Sequence, residues 1–303
     1  MDTSIVLKLA AEQITGHIGY TFDVFALARP TSVEWALDLV KILSKLSPLV
    51  GNLIEFSLVE LLNQKREFRG LGQWVRQDPD FPDTVFVGKI NPQPGLEVKA
   101  WFPLATEITA RFKDSQNRFL QNNINVALLA WLPENLIFGR PRLLGACVVS
   151  GQSVAAARDS HYHDPPNYLV VEPEDTTART RNLQQTNTNG YRWQGTASQL
   201  REAEIAVRSW GAEGKRYRPD PEYQAQVRAL ISRFQYRLDT NFAKMDRIEH
   251  QEIEDFKRRM LETEVFGRKL ADWSAIFGSD DQARIRVALD SSLGIKHSVK
   301  GVS

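Results

Sequence analysis

Apolar residues recur along the chain with two different periods, and the period separates the predicted strands from the predicted helices. In Leu96–Phe102 apolar and polar residues alternate, which is typical of a strand with one polar face. Glu97 and Lys99 lie on that polar face. The apolar, β-branched segment Thr84–Ile90 comes before it, and residues 91–95, all poor strand formers, provide a turn between the two. The pattern therefore predicts a hairpin.

Around this hairpin the sequence pattern predicts both helices and strands. Before the hairpin we expect a helix and a short strand; after it we expect a helix and then three apolar strands. Their expected bounds are Asn52–Arg66 (helix), Leu71–Arg76 (strand), Leu104–Leu120 (helix), and Val126–Leu132, Leu143–Ser150 and Tyr168–Val171 (strands).

Both ends of the chain are predicted to be mainly helical. In residues 1–50 a helical stripe of apolar residues ends before Pro48, and in residues 198–303 the segment Lys244–Leu261 has an amphipathic pattern. We therefore divide the chain into an N-terminal helical region (1–50), a core with a recognition loop (51–197) and a C-terminal helical region (198–303), packed as one compact unit.

Three charged residues would be brought together by the hairpin. Asp83 stands at the start of one strand, and Glu97 and Lys99 stand on the next. Two carboxylates that share a hard cation suit Mg²⁺, and a lysine beside them can orient or deprotonate a metal-bound water. These groups suit metal-assisted attack on a phosphodiester. The alternative is a surface hairpin on which Glu97 and Lys99 form an ordinary polar face.

Pro82-Asp83, followed after thirteen residues by Glu97-Val98-Lys99, resembles the signature of the PD-(D/E)XK nuclease superfamily. That superfamily includes most type II restriction endonucleases, and the resemblance covers roughly residues 50–132. It implies an α/β core with a central mixed β-sheet flanked by helices. It also implies that Asp83, Glu97 and the carbonyl of Val98 hold Mg²⁺ and that Lys99 positions the attacking water.

The activity implied by the resemblance is sequence-specific hydrolysis of double-stranded DNA to 5′-phosphate and 3′-hydroxyl ends. Because a duplex has two antiparallel strands, a homodimer is the simplest way to cut both at one palindromic site. Two alternatives stay open: a repair or recombination nuclease on the same core, and a DNA-binding protein that does not cut.

A further acid is expected on the helix before the hairpin. Glu55 falls inside the apolar arc of Asn52–Arg66, whereas Glu60 falls on the solvated side. A carboxylate in an apolar arc must find a cation or hydrogen-bond donors. We interpret Glu55 as a catalytic acid reaching the metal site, and the alternative is a glutamate at the core edge that is bonded to backbone or to an arginine.

The most polar segment, Thr176–Gln199, is predicted to read DNA. Arginine, asparagine and glutamine can make bidentate contacts to guanine or adenine edges in the major groove. An exposed loop without a binding role has a similar composition, but the nuclease resemblance favours recognition. The residues expected to bind DNA are Arg179, Arg181, Asn182, Gln184, Gln185, Asn187, Asn189 and Arg192.

Composition limits the other classes of function. The formal net charge of +1 argues against a protein that coats nucleic acid non-specifically. Cys147 is the only cysteine, which excludes an intrachain disulfide and a cysteine-ligated zinc cluster. No apolar stretch reaches membrane-spanning length, and Lys8 and Glu12 interrupt the N-terminal segment. We therefore expect a cytoplasmic protein that does not interact with membranes.

A rival site is the segment His161-Tyr162-His163-Asp164. Two histidines on one face of an extended segment could bind a transition metal. A third ligand at recognisable spacing is missing, and Pro165-Pro166 follows at once. We therefore interpret the two histidines as loop residues that contact phosphate or solvent.

Overall fold

The computed structural model describes residues 2–77, 81–104, 121–172, 189–238 and 249–295. At its centre is a five-stranded mixed sheet with the strands in sequence order. The third and fourth strands are parallel, and every other neighbouring pair is antiparallel. The strands are β1 (Gly72–Arg76), β2 (Thr84–Gly88), β3 (Gly95–Trp101), β4 (Ile124–Pro133) and β5 (Pro141–Ser150). Helices flank this sheet, so the predicted α/β architecture with a mixed sheet is confirmed.

The parallel pairing of β3 with β4 requires a crossover connection. Such connections need a dozen or more residues, because the chain must return to the same end of the sheet. The helix predicted over Leu104–Leu120 falls in this connection, but residues 105–120 lie outside the described part of the chain.

The prediction that the first long helix ends before Pro48 is wrong. A single helix, α2, runs from Val33 to Asn63 with Pro48 inside it. Its two halves meet at an angle of 62° near residue 44. Proline at position 48 has no N–H to donate to the carbonyl four residues earlier, and its ring crowds that carbonyl. The helix therefore bends without stopping, and it crosses the expected region boundary at residue 50.

The two faces of the central sheet are covered by different helices. Besides α2, these helices are α1 (Thr3–Thr15), α3 (Gly151–Tyr162), α6 (Gln251–Glu262), α7 (Leu270–Phe277) and α8 (Gln282–Leu293). One face of the sheet packs against α1, α2, α7 and α8, whereas the other packs against α3 and α6. Leu96 and Val98 of β3 belong to the first face and Trp101 to the second. The alternation predicted for this strand is thus confirmed.

A smaller unit follows α3 and has a core of its own. It contains a three-stranded antiparallel sheet in the order β6–β7–β8 and two helices. Its elements are β6 (Tyr168–Val171), β7 (Asn189–Trp193), α4 (Ala197–Arg208), α5 (Pro221–Arg233) and β8 (Tyr236–Leu238). We call these elements the small unit. A two-stranded ribbon, β9 (Glu264–Val265) and β10 (Arg268–Lys269), precedes α7.

The C-terminal helices agree with the predicted pattern. Within the predicted amphipathic segment, α6 buries Ile253 and Phe256 against the central sheet. Among the described residues, no single helix has the length and apolar character needed to cross a membrane; only the two halves of bent α2, taken together, satisfy that test by length and composition.

Candidate active site

The predicted hairpin forms, but β2 and β3 pair over only two residues on each strand. Thr84 lies opposite Leu96, and Val85 lies opposite Gly95. Glycine is required at position 95, because a Cβ there would lie 2.6 Å from Cγ of Pro82. This close approach holds the start of β2 against β3. Continuing the register by one step places Asp83 opposite Glu97, on the same face of the sheet.

Beyond Thr84 and Leu96, the hydrogen bonds between β2 and β3 are made by side chains and not by paired backbone groups. Oδ2 of Asp83 accepts a hydrogen bond from the backbone N–H of Val98 at 2.7 Å. In return, Oε2 of Glu97 accepts from the backbone N–H of Asp83 at 3.3 Å. The two carboxylates are therefore fixed to each other's strand at the place where the strands separate.

Lys99 connects the two acids. Its Nζ lies 3.5 Å from Oδ2 of Asp83 and forms an ion pair with Oε1 of Glu97. The side chain of Glu97 is 8% exposed, and those of Asp83 and Lys99 are 22% and 26% exposed. The three residues predicted to act together are thus adjacent, and they are too buried for the alternative of an ordinary surface polar face.

Two carboxylates and one ammonium leave an unbalanced negative charge in this cluster. Burial, opposed by Lys99 and reinforced by the Asp83 carboxylate, raises the pKa of Glu97 to about 7. Burial lowers the pKa of Lys99, but the carboxylates of Glu97 and Asp83 outweigh it, so that the net shift is upward. A site with these properties favours an additional cation.

Glu55 lies on α2 and forms an ion pair with Arg76 of β1, whose Nη2 is 3.1 Å from Oε1 of the acid. Burial raises the pKa of Glu55, and the nearby Asp83 carboxylate raises it further, although Arg76 and Lys99 act in the opposite direction. Glu55 therefore lies near enough to feel the charges of the cluster. The arginine partner was one of the alternatives that the sequence left open, and no spacing in the sequence singled out Arg76.

The donor set fits a hard divalent cation with few protein ligands. Asp83 and Glu97 converge on one point, which the ammonium of Lys99 occupies. A residue in a strand directs its N–H and C=O to the same neighbour, so the carbonyl of Val98 points toward Asp83 as its N–H does. Mg²⁺ is bound by one or two carboxylates and keeps several waters. No group of three or more histidine, cysteine or acidic side chains able to hold a metal occurs within the described ranges.

The predicted recognition residues are placed only in part. The segment from Arg179 to Asn187 lies outside the described residues, and it includes the first six of the expected DNA contacts. The last two, Asn189 and Arg192, do not lie in a loop but in β7, the central strand of the small unit. The expectation of a loop is therefore wrong for these two residues. Pairing with β6 and β8 satisfies their backbone.

The rival histidine segment is not extended. His161 lies in the last turn of α3, and His163 caps that helix. His163 is buried, and its Nε2 contacts the hydroxyl of Tyr223 at 2.8 Å. The interpretation of the two histidines as loop residues that contact phosphate or solvent is therefore wrong for His163, which is buried; His161 is exposed, but it lies in a helix and not in a loop. His163 belongs to the interior of the small unit.

Comparison with models of known protein families gave no match for this chain, and comparison with curated proteins gave none. The functional argument therefore depends on the geometry of the residues themselves.

Proposed function

We propose that this protein is a Mg²⁺-dependent endonuclease that cuts double-stranded DNA at a specific sequence, in the manner of a type II restriction enzyme. The observation that carries the proposal is the convergence of Asp83, Glu97 and Lys99 at the open end of one hairpin. A half-buried lysine shared by two carboxylates combines a cation site with a group able to act on water.

Each residue has a distinct role in this proposal. Asp83, Glu97 and the carbonyl of Val98 would hold Mg²⁺, which when bound supplies Lewis-acid stabilisation of the phosphodiester. Lys99 would orient the attacking water and stabilise the charge that develops on phosphate. The water oxygen bonds to phosphorus as the bond to the 3′ oxygen breaks, which leaves a 5′-phosphate and a 3′-hydroxyl.

The order of elements supports the same proposal. A helix bearing Glu55 comes before three antiparallel strands, and the third of these is parallel to the next strand. This is the arrangement that the resemblance to the nuclease superfamily implies. A fold alone does not establish function, so the proposal is carried by the charged cluster and not by this agreement.

The direct test is incubation of the purified protein with plasmid DNA and Mg²⁺, followed by sequencing of the fragment ends. We expect discrete fragments with a common sequence at their ends, and no fragments in the presence of EDTA. The matched control is Asp83→Asn, which keeps the shape of the side chain. Nicking that follows DNA structure and not sequence would favour a repair nuclease, and bound but uncut DNA would favour a non-cleaving binder.

We further propose that the protein acts as a two-fold dimer through α2. Four large apolar residues on this helix are between 42% and 59% exposed. They are spaced seven residues apart, so that each half of the helix presents two of them on one side. The residues are Trp35, Ile42, Leu49 and Phe56. Another copy of the same helix carries the same spacing and can bury this surface.

Sedimentation measurements test the dimer. We expect the protein to sediment as a dimer and the double variant Ile42→Glu, Leu49→Glu to sediment as a folded monomer. Ile205→Glu is the control, because Ile205 is 66% exposed on α4 of the small unit. A monomeric parent protein, or a double variant that stays dimeric, would contradict this interface.

A further inference from the structure

The small unit presents a polar face on the side of its sheet that is turned away from its core. Along β7, Tyr191 and Trp193 pack on the core, whereas Arg192 and Gln194 are exposed. Along β8, Tyr236 packs on the same core. This alternation is the period of two that a half-buried strand requires.

The exposed side chains lie in matched pairs across the two strands. Arg192 is directly opposite Arg237 in the register of β7 and β8. One step further on, the N–H of Gln194 donates to the carbonyl of Gln235 at 2.9 Å, and both of these glutamines are exposed. On this side of the sheet β7, β8 and the residues beside them thus carry two arginines and two glutamines, whereas Tyr168 and Val170 of the neighbouring β6 are buried.

The chemistry of this face fits base edges. Arginine can donate two hydrogen bonds to guanine, and glutamine can pair with the two groups that adenine presents in the major groove. Two adjacent β-strands can enter the major groove of B-form DNA, and β7 and β8 are two such strands, with β8 at the edge of the three-stranded sheet. The major groove of duplex RNA is too deep and narrow for the same approach. Arginine is also positively charged, which complements the phosphates of DNA.

The small unit adjoins a helix that packs on the central sheet. Glu97, Lys99 and Trp101 share one face of β3, and α3 packs on that face through Val154 and Ala155. The chain leaves α3 directly into β6, which contacts α3. The helix α3 therefore connects the sheet face that carries the charged cluster with the small unit.

We propose that the exposed face of β7 and β8 reads base pairs in the major groove through Arg192, Gln194, Gln235 and Arg237. This inference rests on the proposed endonuclease function. It adds Arg237 of β8 and Gln235, which precedes that strand, to the recognition surface, which the sequence pattern had confined to the segment before α4.

The test compares Arg237→Ala, Arg237→Lys and Gln235→Ala with Arg201→Ala, an exposed arginine of α4 in the same unit. The substrates are a duplex with the sequence found at the fragment ends and a set of duplexes that each differ from it by one base pair. The quantity measured is kcat/KM on every duplex, and thermal melting checks that each variant is folded.

For Arg237→Ala we expect kcat/KM on the cognate duplex to fall roughly 5- to 150-fold. On duplexes altered at the base pair that Arg237 contacts, kcat/KM should change much less. Arg237→Lys should not restore selectivity, because an ammonium lacks the planar fork. Gln235→Ala should relax the selectivity at a neighbouring base pair, and Arg201→Ala should leave all ratios unchanged.

Three outcomes would overturn the inference. Rescue by Arg237→Lys, with equal losses on all duplexes, would show a phosphate contact. Unchanged ratios in folded Arg237→Ala and Gln235→Ala, with a parent protein that cuts at a defined sequence, would reject the recognition surface and leave the proposed function intact. A parent protein that neither binds nor cuts DNA would reject both.

Discussion

The hairpin at Asp83 and the small unit at His163 both bury polar side chains, but the two regions balance those side chains differently. In the hairpin, Asp83 and Glu97 share the single ammonium of Lys99. In the small unit, the imidazole of His163 is uncharged and its two nitrogens have different partners. Val170 N–H donates to Nδ1 at 3.3 Å, so the proton is on Nε2.

The hydrogen bonds of the small unit continue from there without a gap. Nε2 of His163 donates to the hydroxyl of Tyr223 at 2.8 Å, and that hydroxyl donates to the carbonyl of Gly214 at 2.6 Å. Beside it, the hydroxyl of Tyr217 donates to the carboxylate of Glu172. Each of these donors has an acceptor, which is the ordinary condition for a polar group in a protein interior.

The difference between the two regions is a difference in electrostatic balance. Burial raises the pKa of Glu97 to about 7 and lowers that of His163 to about 4, so in both cases the neutral form is favoured. In the small unit the neutral form is also the one that satisfies all the hydrogen bonds. In the hairpin it is not, because the ammonium of Lys99 and the backbone N–H of Asp83 both favour the charged carboxylate of Glu97. Such conflict is characteristic of functional sites.

The largest expected effect is on the hairpin acids. Asp83→Asn and Glu97→Gln should each reduce DNA cleavage about a thousandfold or more, since several kcal/mol of metal-dependent stabilisation are lost. Thermal melting should show that Glu97→Gln is as stable as the parent or more so, because it removes a buried charge. Cleavage at the parent rate in Mg²⁺ by either variant would contradict the assignment of the hairpin acids to an active site.

Lys99→Met should reduce the single-turnover cleavage rate by roughly 10²- to 10⁴-fold, because water loses the group that orients it. Lys99→Arg should not restore the rate, since a planar guanidinium cannot replace a point donor at this position. The measurement is quenched-flow cleavage at saturating enzyme. A near-normal rate in Lys99→Met would make the lysine a structural counter-ion for the two acids.

Glu55→Gln should lower the rate of DNA cleavage about 10- to 100-fold. This is the effect expected of a residue that orients the metal ligands but is not itself Asp83, Glu97 or Lys99. Glu60→Gln is the matched control, because Glu60 is exposed on the same helix. The two variants are compared by cleavage rate and by melting temperature. If Glu55→Gln only lowers the melting temperature, its role is limited to the ion pair with Arg76.

The small unit should show its contribution in the pH dependence of stability. The pKa of His163 is lowered when the protein is folded, so the unfolded chain takes up a proton first. Stability is therefore complete above the unfolded pKa and is lost as pH falls from about 6.5 toward 4, at up to about 1.4 kcal/mol per pH unit. This loss is measured by denaturant titrations of the Glu97→Gln variant without divalent metal. The variant is used because the raised pKa of Glu97 changes stability with pH in the opposite direction.

The control for that measurement is Glu97→Gln alone. Adding His163→Gln should flatten the pH dependence of stability relative to this single variant. Equal slopes with and without His163→Gln would show that the loss at low pH comes from other groups.

The smallest effect is expected for Tyr223→Phe. Removal of the hydroxyl leaves Nε2 of His163 and the carbonyl of Gly214 without a partner, which should lower the free energy of unfolding by roughly 1–3 kcal/mol. Cleavage should not change. Tyr20→Phe, at an exposed tyrosine, should change neither. Loss of cleavage in folded Tyr223→Phe would mean that the two regions are coupled.

The sequence by itself determined the hairpin and the faces of its strands. Alternation in Leu96–Phe102 depends only on neighbours along the chain, since successive side chains of a strand point to opposite faces. For the same reason the pattern placed Glu97 and Lys99 on one face with Trp101. Glycine and proline between the strands fixed the position of the turn. Local geometry was sufficient for these features.

Tertiary structure decided the features that depend on distant partners. Pro48 predicted a helix end, yet α2 continues because both of its halves bury apolar residues against the sheet. The polar residues around Arg192 predicted a loop, yet they form a strand because β6 and β8 pair with it and its aromatic residues reach a core. The ion pair of Glu55 with Arg76 required helix and sheet to meet. Contacts between residues far apart in sequence override local preference when the burial that they allow is larger.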